Sequence, residues 1–345
     1  MSVDGNGVYL QIIMENQYIK QFPEIMSGKT IMYVHGFGSS GQSGTVERLK
    51  QVLPEARIVA PDLPIHPEEA LQLLQATCQT EHPDLIIGTS MGGMFAEMLY
   101  GYDRILTNPA FHIADTMQSH GLTGKQQFFS PRRDGVQEFY VDKPMVKEYR
   151  LMTEQNFAHA ADDGEQQRVF GLFGDEDPLV DTYQTFLDHY PQAIRFHGEH
   201  RMNDRSFMHS VLPVIRWIDD RQQRRERPIV FIGLETLMDS YEKPASSSQK
   251  AVRTLLENYQ LYFVAPAPTT APNAYAKTLS WLEQYINVPA WGHTIFTNQR
   301  QLLLGDYLIE TEKTRDAMAT RLEFGSDTFK TWEDVIDYFS HLGGQ

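Results

Sequence analysis

From residue 31 onward, short unbroken apolar runs alternate with longer stretches whose apolar positions recur at helical spacing. Such runs read as strands buried on both faces, and the longer stretches as helices. The pattern predicts strands over 31–34, 57–60, 85–88, 104–107, 169–173 and 193–196, with helices near 45–53, 68–80, 91–100 and 182–190. A last helix over 207–219 sets Val211, Val214, Ile215 and Ile218 on one face. Strands alternating with helices in this way predict an α/β fold built on a parallel sheet. One connection, 111–168, breaks the rhythm. It shows no convincing strand, yet it carries Phe128, Phe129, Phe139, Tyr140, Tyr149 and Phe157. Its length fits either a helical lid over about 111–167 or helices packed against the sheet edge.

The alternation restarts after an Arg-rich stretch, "RQQRRERP", over 221–228. Strands are predicted over 229–232, 261–264, 307–309 and 321–324, and helices near 249–258, 273–285 and 331–341. At 345 residues the chain is long for a single core. The predicted division is an N-terminal extension over 1–28, a first domain over 29–220, a solvated linker over 221–228, and a smaller second domain over 229–345. No internal repeat is evident, and the biased pieces "ASSSQ" and "APAPTTAPNA" read as loops.

Composition keeps the chain among ordinary globular proteins, with 41% apolar and 22% charged residues. A formal charge of -15 argues against a nucleic-acid partner, whose binding draws on clustered Lys and Arg. The single cysteine, Cys78, excludes an intramolecular disulfide and fits a reducing compartment; its place among Leu71 and Leu74 predicts burial. The start "MSVDGNGVYLQIIMENQ" lacks a basic segment followed by a sustained apolar run, and no stretch is long and apolar enough to span a bilayer. The expectation is a cytoplasmic protein without membrane contact.

The candidate chemistry lies in "LIIGTSMGG", where Gly88-Thr89-Ser90-Met91-Gly92 forms G-x-S-x-G between a predicted strand and helix. Glycines there allow a tight, strained turn that presents the serine hydroxyl at the helix N-terminus. A serine hydroxyl is a weak nucleophile by itself and needs a base and an orienting acid, which in this motif's fold follow in the order acid, then histidine. "VFGLFGDEDPLV" offers Asp177 in the loop after a strand, with Asp175 as its rival. "AIRFHGEHRM" offers His200 beyond Gly198, whereas His197 still belongs to the strand and His209 starts the last helix as a surface or packing residue. The loop "YVHGFGSSG" and the start of the helix after Ser90 supply the backbone N–H groups of Phe37 and Met91 as oxyanion donors. His35 is expected to make a structural hydrogen bond that shapes this loop.

With these segments in hand, residues 31 to about 220 resemble the YqiA-like group of small α/β-hydrolase esterases. "YVHGFGSSGQS", "VAPDLPIHPEEALQLL", "LIIGTSMGGMFAEMLY", "ILTNPAF", "GDEDPLVD" and "GEHRM" carry the likeness in order and spacing. The resemblance implies an α/β-hydrolase fold, esterase or thioesterase activity on acyl substrates, and no metal or other cofactor.

Residues 229–345 resemble the 5′(3′)-deoxyribonucleotidase branch of the haloacid dehalogenase-like fold, most clearly in "GDYLIETEKTRD" and "RLEFGSDTFKTWEDVIDYF". That family implies a Mg²⁺-dependent phosphatase whose first strand ends in D-x-D. Here Gly233 stands in the first place and Glu235 in the second. The hydroxyl after the second strand falls at Ala265-Pro266, the phosphate-neutralising Lys becomes Arg300, and of the metal-binding stretch only Asp306 is unchanged, with Glu310 nearby. The chain after Glu235 is too short for a helical cap. The expectation is a catalytically dead unit in which Asp306 and Glu310 are surface carboxylates. It would serve docking to a protein partner, self-association or ligand sensing. The sequence therefore predicts a serine hydrolase acting on a small acyl ester or thioester. A non-enzymatic protein with vestigial sites and a Mg²⁺-dependent nucleotidase remain as alternatives.

Overall fold

In the computed structural model, which describes residues 19–238, 241–286, 292–311 and 314–342, the alternating runs form two separate parallel sheets. The first contains β1 (Thr30–Val34), β2 (Arg57–Val59), β3 (Leu85–Thr89) and β4 (Arg104–Thr107). A two-stranded ribbon follows, β5 (Gly124–Gln127) and β6 (Glu138–Val141), before β7 (Val169–Gly174) and β8 (Ala193–Phe196) complete that sheet. Its order is β2-β1-β3-β4-β7-β8, with every pairing parallel.

Period-two alternation distributes the strand side chains between two layers. Ile31, Tyr33, Leu85, Ile87 and Ile105 pack with Val46 and Leu49 of the helix Gly44–Val52 and with Val214, Ile215 and Ile218 of the helix Leu212–Gln223. Met32, Val34, Ile86 and Leu106 face the other way, onto Leu71 and Leu74 of the helix Pro67–Glu81 and Met94 and Phe95 of the helix Met91–Glu97. Each such side chain, fully buried, contributes about 1.5–3 kcal/mol. This is an α/β fold, a parallel sheet with helices on both faces. Cys78 is buried in the second of these layers, as expected.

Three expectations need correction. The connection 111–168 is not wholly helical: the helices Ile113–Ser119 and Lys143–Thr153 flank the antiparallel β5–β6 ribbon. The ribbon escapes the hydrophobic pattern because β5, "GKQQ", buries no apolar side chain, and only Phe139 and Val141 of β6 turn inward. Second, the extension does not end outside the fold, since Ile25 and Met26 are fully buried in the first unit's core; its residues 1–18 lie outside the described residues. Third, 221–228 is exposed at six of its eight residues, as a solvated stretch should be, but it is not a free linker. The helix runs to Gln223, Arg221 bonds Asp103 at 2.7 Å, and Arg227 bonds Asp220 at 2.6 Å and the carbonyl of Glu257 at 3.0 Å.

The insertion is anchored by a buried polar network. Arg104, fully buried on β4, donates to the Glu165 carboxylate and the Glu97 carbonyl. Glu97 in turn accepts from Tyr190 Oη at 2.7 Å, Asn156 Nδ2 at 2.9 Å and the Phe157 N–H at 3.0 Å. Removing one partner of a buried ion pair strands the other in low dielectric, so Arg104→Ala is expected to lose about 3–5 kcal/mol in urea denaturation. A loss below 1 kcal/mol, the scale of an exposed pair, would contradict this reading of the network.

The second sheet contains β9 (Ile229–Gly233), β10 (Gln260–Ala265), β11 (Thr294–Phe296), β12 (Leu304–Glu310) and β13 (Met318–Glu323), in the order β11-β10-β9-β12-β13 and all parallel. Val252 and Leu255 of the helix Ser246–Leu256 and Val335 and Phe339 of the helix Trp332–Leu342 cover one face. Trp281, ending the helix Asn273–Trp281, joins them. The sequence did not predict β11, a three-residue edge strand whose side chains are all half-buried. Among the described residues no helical layer is inserted between Thr236 and Ser246.

Candidate active site

The turn after β3 is shaped by close packing. A Cβ on Gly88 would meet the carbonyl oxygen of Gly92 at 2.3 Å, and one on Gly92 would meet the carbonyl oxygen of Val34 at 2.0 Å. Only glycine lets the helix Met91–Glu97 lie this close to β1 and β3. Between the two, Ser90 adopts φ 55° and ψ -122°, a conformation that non-glycine residues hold only when their surroundings impose it. Here its N–H donates to the Thr107 carbonyl at 2.9 Å, and its own carbonyl accepts the N–H groups of Gly93, Met94 and Ala110. The result is a half-buried hydroxyl at the carboxyl end of the sheet.

That hydroxyl meets an imidazole. Ser90 Oγ lies 3.0 Å from His200 Nε2, and His200 Nδ1 lies 2.7 Å from Asp177 Oδ2. The carboxylate is 1% exposed, and its Oδ1 accepts the N–H groups of Leu179 at 2.8 Å and Val180 at 3.1 Å. These bonds fix the carboxylate plane, so Nδ1 carries the ring proton and Nε2 is left to accept from Ser90. The rival acid serves elsewhere: Asp175 approaches His197 Nδ1 at 3.3 Å and accepts the Gly198 N–H at 3.1 Å. His209 lies in a single wide turn, Phe207–Val211, away from this chain of bonds.

The N–H groups of Phe37 and Met91 have no protein acceptor among the described residues, and Met91 opens its helix, where no intrahelical acceptor exists. The ring of Phe37 packs edge-on against Phe139 of the ribbon, and the N–H of Phe129 donates to the carbonyl of Gly38 at 2.7 Å. The ribbon loop is clamped by Ser40 Oγ to the Pro131 carbonyl at 2.6 Å and by Arg132 to the Leu63 carbonyl at 3.0 Å. Of the two alternatives, the packed helices are what the structure shows, through Met145, Val146 and Tyr149 in the core, while the β5–β6 ribbon lies against the Phe37 loop.

His35 shapes that loop as expected. Its Nε2 accepts the Leu63 N–H at 3.0 Å, which leaves Nδ1 to donate to the Gly36 carbonyl at 2.9 Å. Burial lowers its pKa to about 4, so the ring stays neutral and the tautomer is held.

The sequence reading missed Asn108. At φ 44° beyond β4, it accepts the Gly174 N–H at 2.7 Å and donates to the carbonyls of Glu199 and His200 at 3.2 and 3.1 Å. One side chain therefore ties the end of β7, which leads to Asp177, to the loop that carries His200. Asn108→Ala is expected to lower kcat by up to about 10²-fold through misplacement of the imidazole, with KM little changed. Steady-state kinetics with equal changes in kcat and KM would contradict that positioning role.

The second unit's altered positions form a closed ionic cluster. Arg300 bonds both oxygens of Glu235, each at 2.7 Å, and Glu310 at 3.2 Å. Glu310 also accepts from Arg321 Nε at 2.8 Å and from Thr314 Oγ1 at 2.6 Å. It is fully buried, which corrects the expectation of a surface carboxylate. Burial alone would raise its pKa, but the bonds from Thr314, Arg321 and Arg300 outweigh that and hold it below the usual carboxylate range. Asp306 is committed to the Ile229 N–H at 2.7 Å. A Cβ on Gly233 would meet the Glu235 carboxylate, so a larger residue there would have to displace Glu235 from Arg300. These residues do not fit a Mg²⁺ ion: the acids that would ligate it are satisfied by guanidinium groups.

Residues 30–216 match the family described as "Uncharacterised protein family (UPF0227)". A Vibrio phage KVP40 protein provisionally named a 5′(3′)-deoxyribonucleotidase is 23% identical over 151 residues, covering 35% of this chain and 89% of the phage protein. Among solved structures, the esterase domain of a Rhodothermus marinus protein aligns at TM-score 0.39 and 14% identity, covering 59% of this chain and 90% of that one. The thioesterase domain of the curacin biosynthetic pathway aligns at TM-score 0.31 and 17% identity, covering 52% and 88%.

Proposed function

The chain belongs to the uncharacterised protein family UPF0227 through the unit that holds Ser90, and we propose that this unit is a serine hydrolase cleaving a small acyl ester or thioester. The observation that carries the proposal is the continuous bond chain from Asp177 through His200 to the hydroxyl of Ser90. His200 Nε2 takes the hydroxyl proton as Ser90 Oγ bonds to the carbonyl carbon, and Asp177 stabilises the imidazolium that forms. The unpaired N–H groups of Phe37 and Met91 receive the oxyanion. Collapse of the tetrahedral adduct breaks the bond to the leaving alcohol or thiol, which takes its proton from His200. Water then repeats the sequence on the acyl-enzyme.

The second unit, over 229–345, is proposed as a non-catalytic module, because its nucleophile position is Gly233 and its acids are paired with Arg300 and Arg321. No described helix is long and apolar enough to cross a membrane. The proposal is tested with a fluorophosphonate probe, which bonds covalently to an activated serine whatever the substrate. Peptide mapping should place the adduct on Ser90, and Ser90→Ala should abolish it. An adduct elsewhere, or none, would overturn the assignment.

A further inference from the structure

The cleft where the helix Leu212–Gln223 meets the helix Ser246–Leu256 has a volume of about 370 Å³ and an unusual charge for so acidic a chain. Lys20, Arg205, Arg216, Lys250 and Arg253 line it, with Glu257 as its one carboxylate, and that carboxylate is already bonded to Lys20 at 3.2 Å. Among the described residues, Arg205, Lys250 and Arg253 have no ion pair. The neighbouring acids are engaged: Asp204 pairs with Arg48 and Asp220 with Arg227. Arg216 is buried at the cleft wall, gives Nη1 to the Leu256 carbonyl, and has a buried Nε with no hydrogen-bond partner.

Cations gathered around a single carboxylate repel one another, and two groups here register it. Burial, with Arg253 and Arg205 beside it, lowers the pKa of His209 to about 4. Arg253 is shifted down by burial and by Arg205. An arrangement of this kind is unfavourable by itself and becomes favourable with an anion in place. Phe22, Met208, Leu212 and Pro213 give the same cleft an apolar wall. The volume lies at the lower end of small-molecule sites.

We propose that this cleft binds a small organic phosphate, its phosphoryl oxygens held by Arg205, Lys250 and Arg253 and its organic part against the Phe22 wall. Arg205 and Arg216 come from one unit and Lys250 and Arg253 from the other, so such a ligand bridges the two. The proposal stands apart from the chemistry assigned to Ser90.

The test is calorimetric titration of the full chain with phenyl phosphate. Saturable binding is expected, with a raised melting temperature and competition by inorganic phosphate. Arg253→Gln should weaken binding about tenfold, as loss of one charged hydrogen bond does, while turnover of p-nitrophenyl acetate stays unchanged. The exposed Lys250→Gln provides a second variant should Arg253→Gln fail to fold. No saturable heat, or equal affinity in a folded variant, would overturn the proposal. Sedimentation with phosphatidic acid vesicles that phenyl phosphate does not displace would overturn it too, in favour of a lipid headgroup.

Discussion

Replacing Ser90 by alanine is expected to reduce kcat for p-nitrophenyl acetate by about 10⁶-fold, while the folded state survives. The size follows from what the hydroxyl does. Without it there is no covalent route, and the remaining rate comes from water reaching a carbonyl held at the Phe37 and Met91 N–H groups. Survival of the fold follows from the backbone. The bonds that hold residue 90 at φ 55° are made by its N–H and carbonyl, with Thr107, Gly93, Met94 and Ala110, and alanine keeps all of them. The strain, of order 1–3 kcal/mol, is common to both side chains and cancels between them. Release of p-nitrophenolate measured beside the circular dichroism melt separates the two effects. A variant that melts like the parent and still turns over at more than a small fraction of its rate would show that the acyl group is not transferred to Ser90.

Much of this site was legible because its rules are local. Gly88 and Gly92 are dictated by atoms two to four residues from Ser90 along the chain or on the adjoining strand, and the requirement appears in the sequence as G-x-S-x-G. The apolar runs of β1, β3, β4 and β7 were equally plain, since both faces of the sheet are covered. Where one face is open the signal fades, as at β5 and β11. Asn108 was invisible for another reason. An asparagine before proline reads as turn chemistry, and nothing local announces that its side chain reaches residues 174, 199 and 200.

The second unit was legible in outline and misread in electrostatics. That Gly233 stands where the deoxyribonucleotidase resemblance would put an aspartate could be read directly. In the sequence Glu310 reads as a surface carboxylate because its partners, Arg300 and Arg321, are brought to it by the sheet and not by spacing. The consequence is chemical as well as structural. A guanidinium held by Glu235 and Glu310 supplies the positive charge that a metal would bring, so burying these acids needs no ion. Its pKa is raised by the bond to Glu235, which keeps that charge at any pH at which the chain is folded.

The two aspartates of "GDEDPLV" offer a sharper test than the serine, because they differ by two positions and share a loop. Asp177→Asn is expected to lower kcat about 10⁴-fold, since an amide at this position favours the wrong tautomer of His200 and cannot stabilise its charged form. Asp175→Asn should leave kcat within a few-fold of the parent, because its partners are His197 and the Gly198 N–H. The physical distinction lies in the backbone. The N–H of Asp175 still bonds to the Phe196 carbonyl beside β8, which holds its side chain next to His197. By residue 177 the chain has turned, and the N–H groups of Leu179 and Val180 clamp the carboxylate toward His200. Parallel kinetics on the two variants therefore measure orientation and not charge, as each removes one negative charge from nearly the same place. Equal losses would mean that the field of the acidic loop, and not the 2.7 Å bond to Nδ1, governs turnover.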